Sequence, residues 1–118
     1  EIVSKRKFLV DCYNENLDTS FAKTIKLRAT TVCNYSYFPL LFNTTNDLLK
    51  VIKVLNNQKT YPRRYFNPSL NTLDYITNKV SMPKSEYISK RIVCLPLYVG
   101  LQEKDLKNIV SIIKSELC

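Results

Sequence analysis

The sequence predicts an α+β fold, a small two-layer domain in which a mainly antiparallel sheet of about three strands is covered by helices on one face. Two segments, residues 44–57 and 101–118, repeat apolar side chains at the spacing of an amphipathic helix. Short runs rich in aromatic and branched residues, which favour strands, lie around them. Because each helix must bury its apolar stripe, a shared sheet surface is the simplest arrangement.

The helix at residues 44–57 has the clearest pattern, and Thr44 or Thr45 is placed to cap its first turn. Its stripe consists of Leu48, Val51, Ile52 and Leu55. The last segment has an equally regular stripe, which consists of Leu106, Ile109, Val110, Ile113 and Leu117. A further helix is predicted at residues 2–17 and a short helical turn at 84–90.

Three strands are predicted, at residues 34–42, 60–66 and 91–97, and a weaker alternation at 23–31 indicates a short fourth one. Pro39 cannot donate a ladder hydrogen bond, so its strand should be an edge or be interrupted there. Residues 67–81 lack a sustained period and are predicted to form a long loop or one short helix. Loops of that length in compact domains are frequently functional.

Composition excludes several kinds of chemistry. The 118 residues include no His and a single glycine, Gly100, so neither a His-activated nucleophile nor a glycine-rich phosphate loop is available. We therefore predict no catalytic residue in this chain. The four cysteines, at spacings without a C-x-x-C pair, are interpreted as reduced thiols with no metal role. No apolar run reaches the roughly 18 to 20 residues of a membrane span, and a cytoplasmic location is expected.

The net charge of +8 favours phosphate-bearing partners, although only Lys5-Arg6-Lys7 and Arg63-Arg64 cluster. The second cluster lies in YPRRYFNPSLN, residues 61–71. On a strand the two arginines would point to opposite faces, so only one could face a given ligand. Either that arginine binds phosphate or carboxylate oxygens, or one of the two pairs with an acidic residue and the other is solvated. Tyr65 would be either a half-buried core residue or a ligand contact.

Three segments together resemble a known family: NYSYFPLLF, YPRRYFNPSLNTLDY and SKRIVCLPLYVGLQEKDLKNIVSII. They are similar to the C-terminal small domain of the DegT/DnrJ/EryC1/StrS sugar aminotransferases, which are fold-type I enzymes dependent on pyridoxal phosphate. The resemblance implies a linking helix and connector at residues 1–24 and the small domain at 25–118. It also implies an upstream large domain, absent here, that holds the cofactor and the Schiff-base lysine, so that this chain alone is inactive.

The resemblance implies a substrate site and partners as well. Matched residue by residue, the substrate-binding candidates are Arg63, Tyr65, Phe66, Asn67 and Ser69. The substrate would be a nucleotide-linked ketosugar, dTDP-linked, aminated with glutamate by a homodimer for surface polysaccharide, including lipopolysaccharide, assembly. Many relatives have a histidine shortly after the proline, where this chain has Ser69, Leu70 and Asn71.

Two other functions compete with this one. A small basic nucleic-acid-binding module would explain the charge and the interleaved RRYF, and a purely structural or dimerisation domain is the third possibility.

Overall fold

The computed structural model describes residues 1–118 and confirms the predicted α+β class. Its helices are α1 (Ile2–Asn16), α2 (Thr45–Asn57), α3 (Pro83–Ser89) and α4 (Glu103–Leu117), with a 3-10 turn at Leu70–Thr72. Its strands are β1 (Ala22–Thr24), β2 (Phe38–Phe42) and β3 (Ile92–Leu95). No helix is both long enough and apolar enough to span a bilayer.

The three strands form one antiparallel sheet in the order β1-β2-β3. Phe38 is opposite Leu95 and Leu40 is opposite Val93, and these four side chains lie on the same face in the main core. Helices α1, α2 and α4 cover that face, with α4 packed against both of the others. The predicted stripes of α2 and α4 supply the helical side of the core: Leu48, Val51, Leu55, Leu106, Ile109, Val110 and Ile113.

Pro39 lies in the central strand, so the prediction of an edge strand is wrong. The hydrogen-bonding pattern of the sheet explains how a proline fits there. Cys94, opposite Pro39, exchanges both backbone hydrogen bonds with Arg63 on the outer side of β3, at 2.9 and 2.8 Å. Pro39 therefore faces β3 in a non-hydrogen-bonded pair, and its nitrogen points towards β1. The β1 ladder has already ended at Leu40, so no donor is missed at Pro39.

Two strand predictions need correction. Residues 60–66 do not form a strand, because only Arg63 pairs, as an isolated bridge to Cys94; the next hydrogen-bonded pair towards the end of β3 would join Tyr61 to Pro96, which has no N–H to donate. The third strand is instead β1, which is shorter and earlier than the predicted 23–31. Ile25 and Leu27, which suggested that strand, are exposed beyond its end.

Helix α1 contributes Leu9, Cys12 and Tyr13 to the core. Tyr13 is fully buried and stacks on Phe38, with ring centroids 4.6 Å apart. Its hydroxyl donates to the carbonyl oxygen of Pro96 at 2.9 Å, and burial raises the pKa of the phenol above its usual value. This contact holds α1 against the segment that follows β3.

Helix α2 shows how local sequence defines a helix and its ends. Thr44 confirms its predicted role, since its Oγ1 accepts from the backbone N–H of Asp47 at 3.0 Å. At the other end, Lys59 has a φ of 58°, in the left-handed region. The N–H of Thr60 donates to Leu55 O and that of Lys59 to Asn56 O, both at 2.9 Å, which is a Schellman motif.

Candidate functional site

A cleft of about 640 Å³ opens at the β3 edge of the sheet, and we call it the sheet-edge cleft. Four parts of the chain line it: Ser36 and Tyr37 before β2, members of residues 58–65 after α2, residues 94–98 at the end of β3, and members of residues 101–109 in and just before the first half of α4. Its volume is in the range of small-molecule sites. The end of β3 belongs to its wall, which Tyr13 supports from behind through Pro96.

Two of the predicted site residues, Arg63 and Tyr65, lie in the wall of the sheet-edge cleft. The paired backbone hydrogen bonds with Cys94 fix the position of Arg63 while its side chain stays exposed. Tyr65 is 57% exposed and packs edge-to-face on Tyr37, with ring centroids 5.2 Å apart. Tyr65 is therefore not a core residue, and its ring borders the open cleft.

The neighbouring arginine is used differently. Arg64 donates from Nη2 to the carbonyl oxygen of Ser89 at 2.9 Å, at the C-terminal end of α3, where a cation is favoured. Partial burial lowers the pKa of its guanidinium. Of the two adjacent arginines, the structure thus places Arg63 in the cleft and Arg64 against α3.

The other three predicted residues do not line the sheet-edge cleft. Phe66 and Asn67 are exposed on the tract beyond it. Ser69 is only 5% exposed, its hydroxyl donates to Asn71 Oδ1 at 2.6 Å, and it lies 2.7 Å from the hydroxyl of Ser85 on α3. Substrate contacts by these three residues stay predictions.

Ser69 belongs to a set of hydrogen bonds that joins the loop to the start of α3. Asn71 donates from Nδ2 to Glu86 Oε1 at 2.7 Å and to the carbonyl oxygen of Val80 at 2.8 Å. The same carboxylate accepts from the backbone N–H of Met82 at 2.9 Å. The bonds from Met82 and Asn71 lower the pKa of Glu86. We call Ser69, Asn71, Ser85 and Glu86 the loop network.

Sequence reasoning missed part of the cleft lining. Lys59, Tyr61 and Tyr98 add one cation and two phenols to its wall, and α4 adds Asp105 and Asn108. Tyr61 lies in the tract of residues 61–71 and Tyr98 in the segment LPLYVGL, and neither was predicted to bind substrate. Lys59 is the second residue after the predicted helix 44–57, where a glycine often ends a helix, and the lack of that glycine was its available signal.

The fold and the site define an α+β domain with a basic, tyrosine-lined cleft at one edge of its sheet. A model of the DegT/DnrJ/EryC1/StrS aminotransferase family matches residues 1–114, and the chain belongs to that family. The resemblance carried by residues 61–75 and by the segment around β3 and α4 is thereby confirmed.

Two curated relatives are dTDP-4-amino-4,6-dideoxy-D-glucose transaminases. The Escherichia coli protein is 26% identical over 125 residues, which cover 98% of this chain and 33% of the relative. The Shigella dysenteriae protein is 30% identical over 88 residues, which cover 70% of this chain and 24% of the relative. The chain thus spans at most about a third of the length of the relatives it matches.

Solved structures show the same fold. The aminotransferase TlmJ of Streptoalloteichus hindustanus superposes with a TM-score of 0.89 at 19% identity, over 98% of this chain and 32% of the other. DesI, determined in the presence of its TDP-sugar product, superposes with a TM-score of 0.85 at 20% identity, over 97% of this chain and 31% of the other. Helicobacter pylori PseC, involved in the biosynthesis of pseudoaminic acid, superposes with a TM-score of 0.83 at 13% identity, over 98% of this chain and 32% of the other.

The family depends on pyridoxal phosphate, so we asked whether residues of this chain suit that cofactor. A phosphate cradle needs close backbone approach, which glycine usually permits. A Cβ added to Gly100 would lie 3.7 Å from the Tyr98 ring, an ordinary contact, so nothing at this position requires glycine for close approach of a ligand. The one glycine of the chain therefore gives no sign of a phosphate cradle, and we derive no chemical step through the cofactor.

Proposed function

We propose that this chain is the C-terminal small domain of a nucleotide-sugar aminotransferase, with residues 25–118 as the domain and 1–24 as the linking helix and connector. The intact enzyme transfers an amino group from glutamate to a dTDP-linked keto-deoxysugar. It acts in the cytoplasm, in the assembly of surface polysaccharide including lipopolysaccharide. Pyridoxal phosphate and the lysine that holds it belong to the upstream large domain.

One observation carries this proposal: Arg63 and Tyr65, which the family resemblance assigns to substrate, meet in the wall of the same cleft. Arg63 offers a planar fork of donors that suits phosphate oxygens, which lysine cannot match in geometry. The Tyr37–Tyr65 pair offers flat apolar surface with polar ends, which suits a sugar or a base. Membership of the family over residues 1–114 supports the same conclusion.

The role of this chain in the reaction is then to bind and orient. Arg63 and the tyrosines hold the sugar nucleotide at the β3 edge while the large domain performs the chemistry. Phe66, Asn67 and Ser69 complete the proposed substrate tract, Ser69 from within the loop network. The active form is a homodimer, in which each such domain forms one wall of a substrate site.

The test uses the full-length protein. Incubated with pyridoxal phosphate, glutamate and a dTDP-linked keto-deoxysugar, it should show the absorbance of bound cofactor and form the amino sugar nucleotide. Absence of both would refute the proposal.

A nucleic-acid-binding module predicts a different result. Binding of single- or double-stranded nucleic acid should then fall steeply as salt rises, because several phosphates would be neutralised. We expect weak binding, since only one arginine of the Arg63-Arg64 pair faces the cleft and the other is bonded to Ser89.

A further inference from the structure

Two non-glycine residues of the chain have a positive φ, and both adjoin the sheet-edge cleft. Lys59, at 58°, lines the cleft, and Tyr35, at 52°, directly precedes Ser36 and Tyr37 in its wall. This backbone region brings the Cβ close to the carbonyl oxygen of an L-residue and is disfavoured. Such strain concentrates at functional sites, where the side chain is needed despite it.

The cap of α2 does not explain why the residue at position 59 is a lysine. The Schellman motif uses the backbone N–H groups of Lys59 and Thr60, and glycine makes the same bonds without steric cost. What the lysine adds is a side chain that ends in an ammonium group, on a residue that lines the cleft. The strained position therefore points to a role for that charge.

The charges of the cleft favour an anionic ligand. Its three charged residues are Lys59, Arg63 and Asp105. The ion pairs of the chain involve Lys5, Lys7 and Lys107, so neither cation of the cleft is paired. Asp105 lies in the first turn of α4, where the helix dipole favours a carboxylate, so its charge has a structural reason. An excess of positive charge is left for a ligand.

We propose that Lys59 is a second cationic contact for the diphosphate group of the sugar nucleotide, acting together with Arg63. This inference rests on the proposed function and adds to it a specificity-determining residue that the family tract does not include. Both residues sit on fixed backbone, Lys59 in the cap of α2 and Arg63 in its bridge to Cys94. The backbone at both positions therefore loses little conformational freedom when an anion binds.

The experiment compares Lys59→Gly with the wild type in the full-length enzyme. Glycine removes the ammonium group and relieves the backbone, so the melting temperature should stay equal or rise while binding weakens. Titration with thymidine diphosphate should give a dissociation constant raised about tenfold. Titration with thymidine, which has no phosphate, should give an unchanged one.

Two further variants serve as controls, one for the backbone conformation at position 59 and one for the position of the lost charge. Lys59→Asn removes the charge with a residue that tolerates the same backbone region, and it should weaken thymidine diphosphate binding in the same way. Lys53→Ala removes a positive charge from an exposed site on α2 outside the cleft, and it should leave affinity unchanged.

The outcomes separate the two proposals. Equal affinity of wild type and Lys59→Gly for thymidine diphosphate would overturn the role of Lys59 while the proposed function stands. Equal weakening by Lys53→Ala would also overturn it, because a general field would then account for the loss. A wild-type enzyme that binds neither thymidine diphosphate nor a dTDP-sugar would remove the proposed function and this inference with it.

Discussion

The tract of residues 61–71 is made of two regions that use polar side chains for opposite purposes. In the first, Arg63 and Tyr65 present exposed side chains to the sheet-edge cleft. In the second, the polar groups of Ser69 and Asn71 are bonded within the chain, to each other and to α3. The first region therefore leaves side-chain donors without partners in the chain, whereas the second uses its donors and acceptors to hold the loop against α3.

This comparison assigns a separate measurable quantity to each region. Substitutions in the first should mainly change substrate affinity, with no change in melting temperature at Arg63 and a small one at Tyr65, whose ring packs on Tyr37. Substitutions in the second should lower stability, because they leave partly buried donors and acceptors without partners.

The largest effect is expected for Asn71→Ala in the full-length protein. It removes the donor to Glu86 and Val80 and the acceptor of Ser69, and it should lower the free energy of unfolding by about 2 kcal/mol. Thermal or urea unfolding measures this. Asn78→Ala, at an exposed position of the same loop, is the matched control and should change stability by less than about 0.5 kcal/mol. Similar effects of the two variants would mean that the loop network does not stabilise the fold.

The adjacent arginines give the next effect and the most direct contrast. Arg63→Ala should raise the KM for the sugar nucleotide about tenfold, equivalent to about 1.4 kcal/mol, without a change in melting temperature. Arg64→Ala should lower stability by about 1 kcal/mol, since the carbonyl of Ser89 loses its donor, and should leave KM nearly unchanged. Steady-state kinetics and thermal unfolding of both variants are required. Exchanged phenotypes would show that the two side chains are assigned the wrong way round.

A smaller effect is expected from the tyrosine pair of the cleft. Tyr37→Ala, Tyr65→Ala and the double variant form a double-mutant cycle on stability. Edge-to-face rings 5.2 Å apart should give a coupling free energy of about 0.5 to 1 kcal/mol. A coupling near zero would mean that the rings are placed independently.

The smallest effect is a pH dependence of the loop network. The pKa of Glu86 is lowered from 4.5 in the folded state, so its ionised form stabilises the fold above that pH. This contribution is lost as pH falls below 4.5 towards the folded-state pKa. Melting curves from pH 7 downwards should therefore show a steeper loss for the wild type than for Glu86→Gln. The pKa of Asp18 is also lowered, by bonds from Ser20, but it acts equally in both proteins and cancels. Parallel curves would contradict the assignment.

The sequence was sufficient for elements whose pattern is local and not for those that depend on a distant partner. The apolar stripes predicted α1, α2 and α4, and the run of apolar residues predicted β3. The strand at 60–66 was wrong and β1 was misplaced, because pairing requires a neighbouring edge that periodicity does not encode. In the site, Arg63 and Tyr65 came from family resemblance.

The rest of the site depends on contacts that no short window contains. The choice between Arg63 and Arg64 required the position of Ser89, 25 residues further on. The hydroxyl of Ser69 is occupied by Ser85, 16 residues away, so its burial could not be read from the turn that contains it.

The hydrogen bond between Tyr13 and Pro96 has a mechanical consequence. Because a buried phenol and a carbonyl oxygen both lose water when they pair, neither α1 nor the chain after β3 can slide without leaving a desolvated polar group alone. A rotation imposed on the N-terminal helix would therefore be transmitted to Leu97 and Tyr98. Movement of α1 relative to the sheet would therefore alter the sheet-edge cleft even though no residue of that helix lines it.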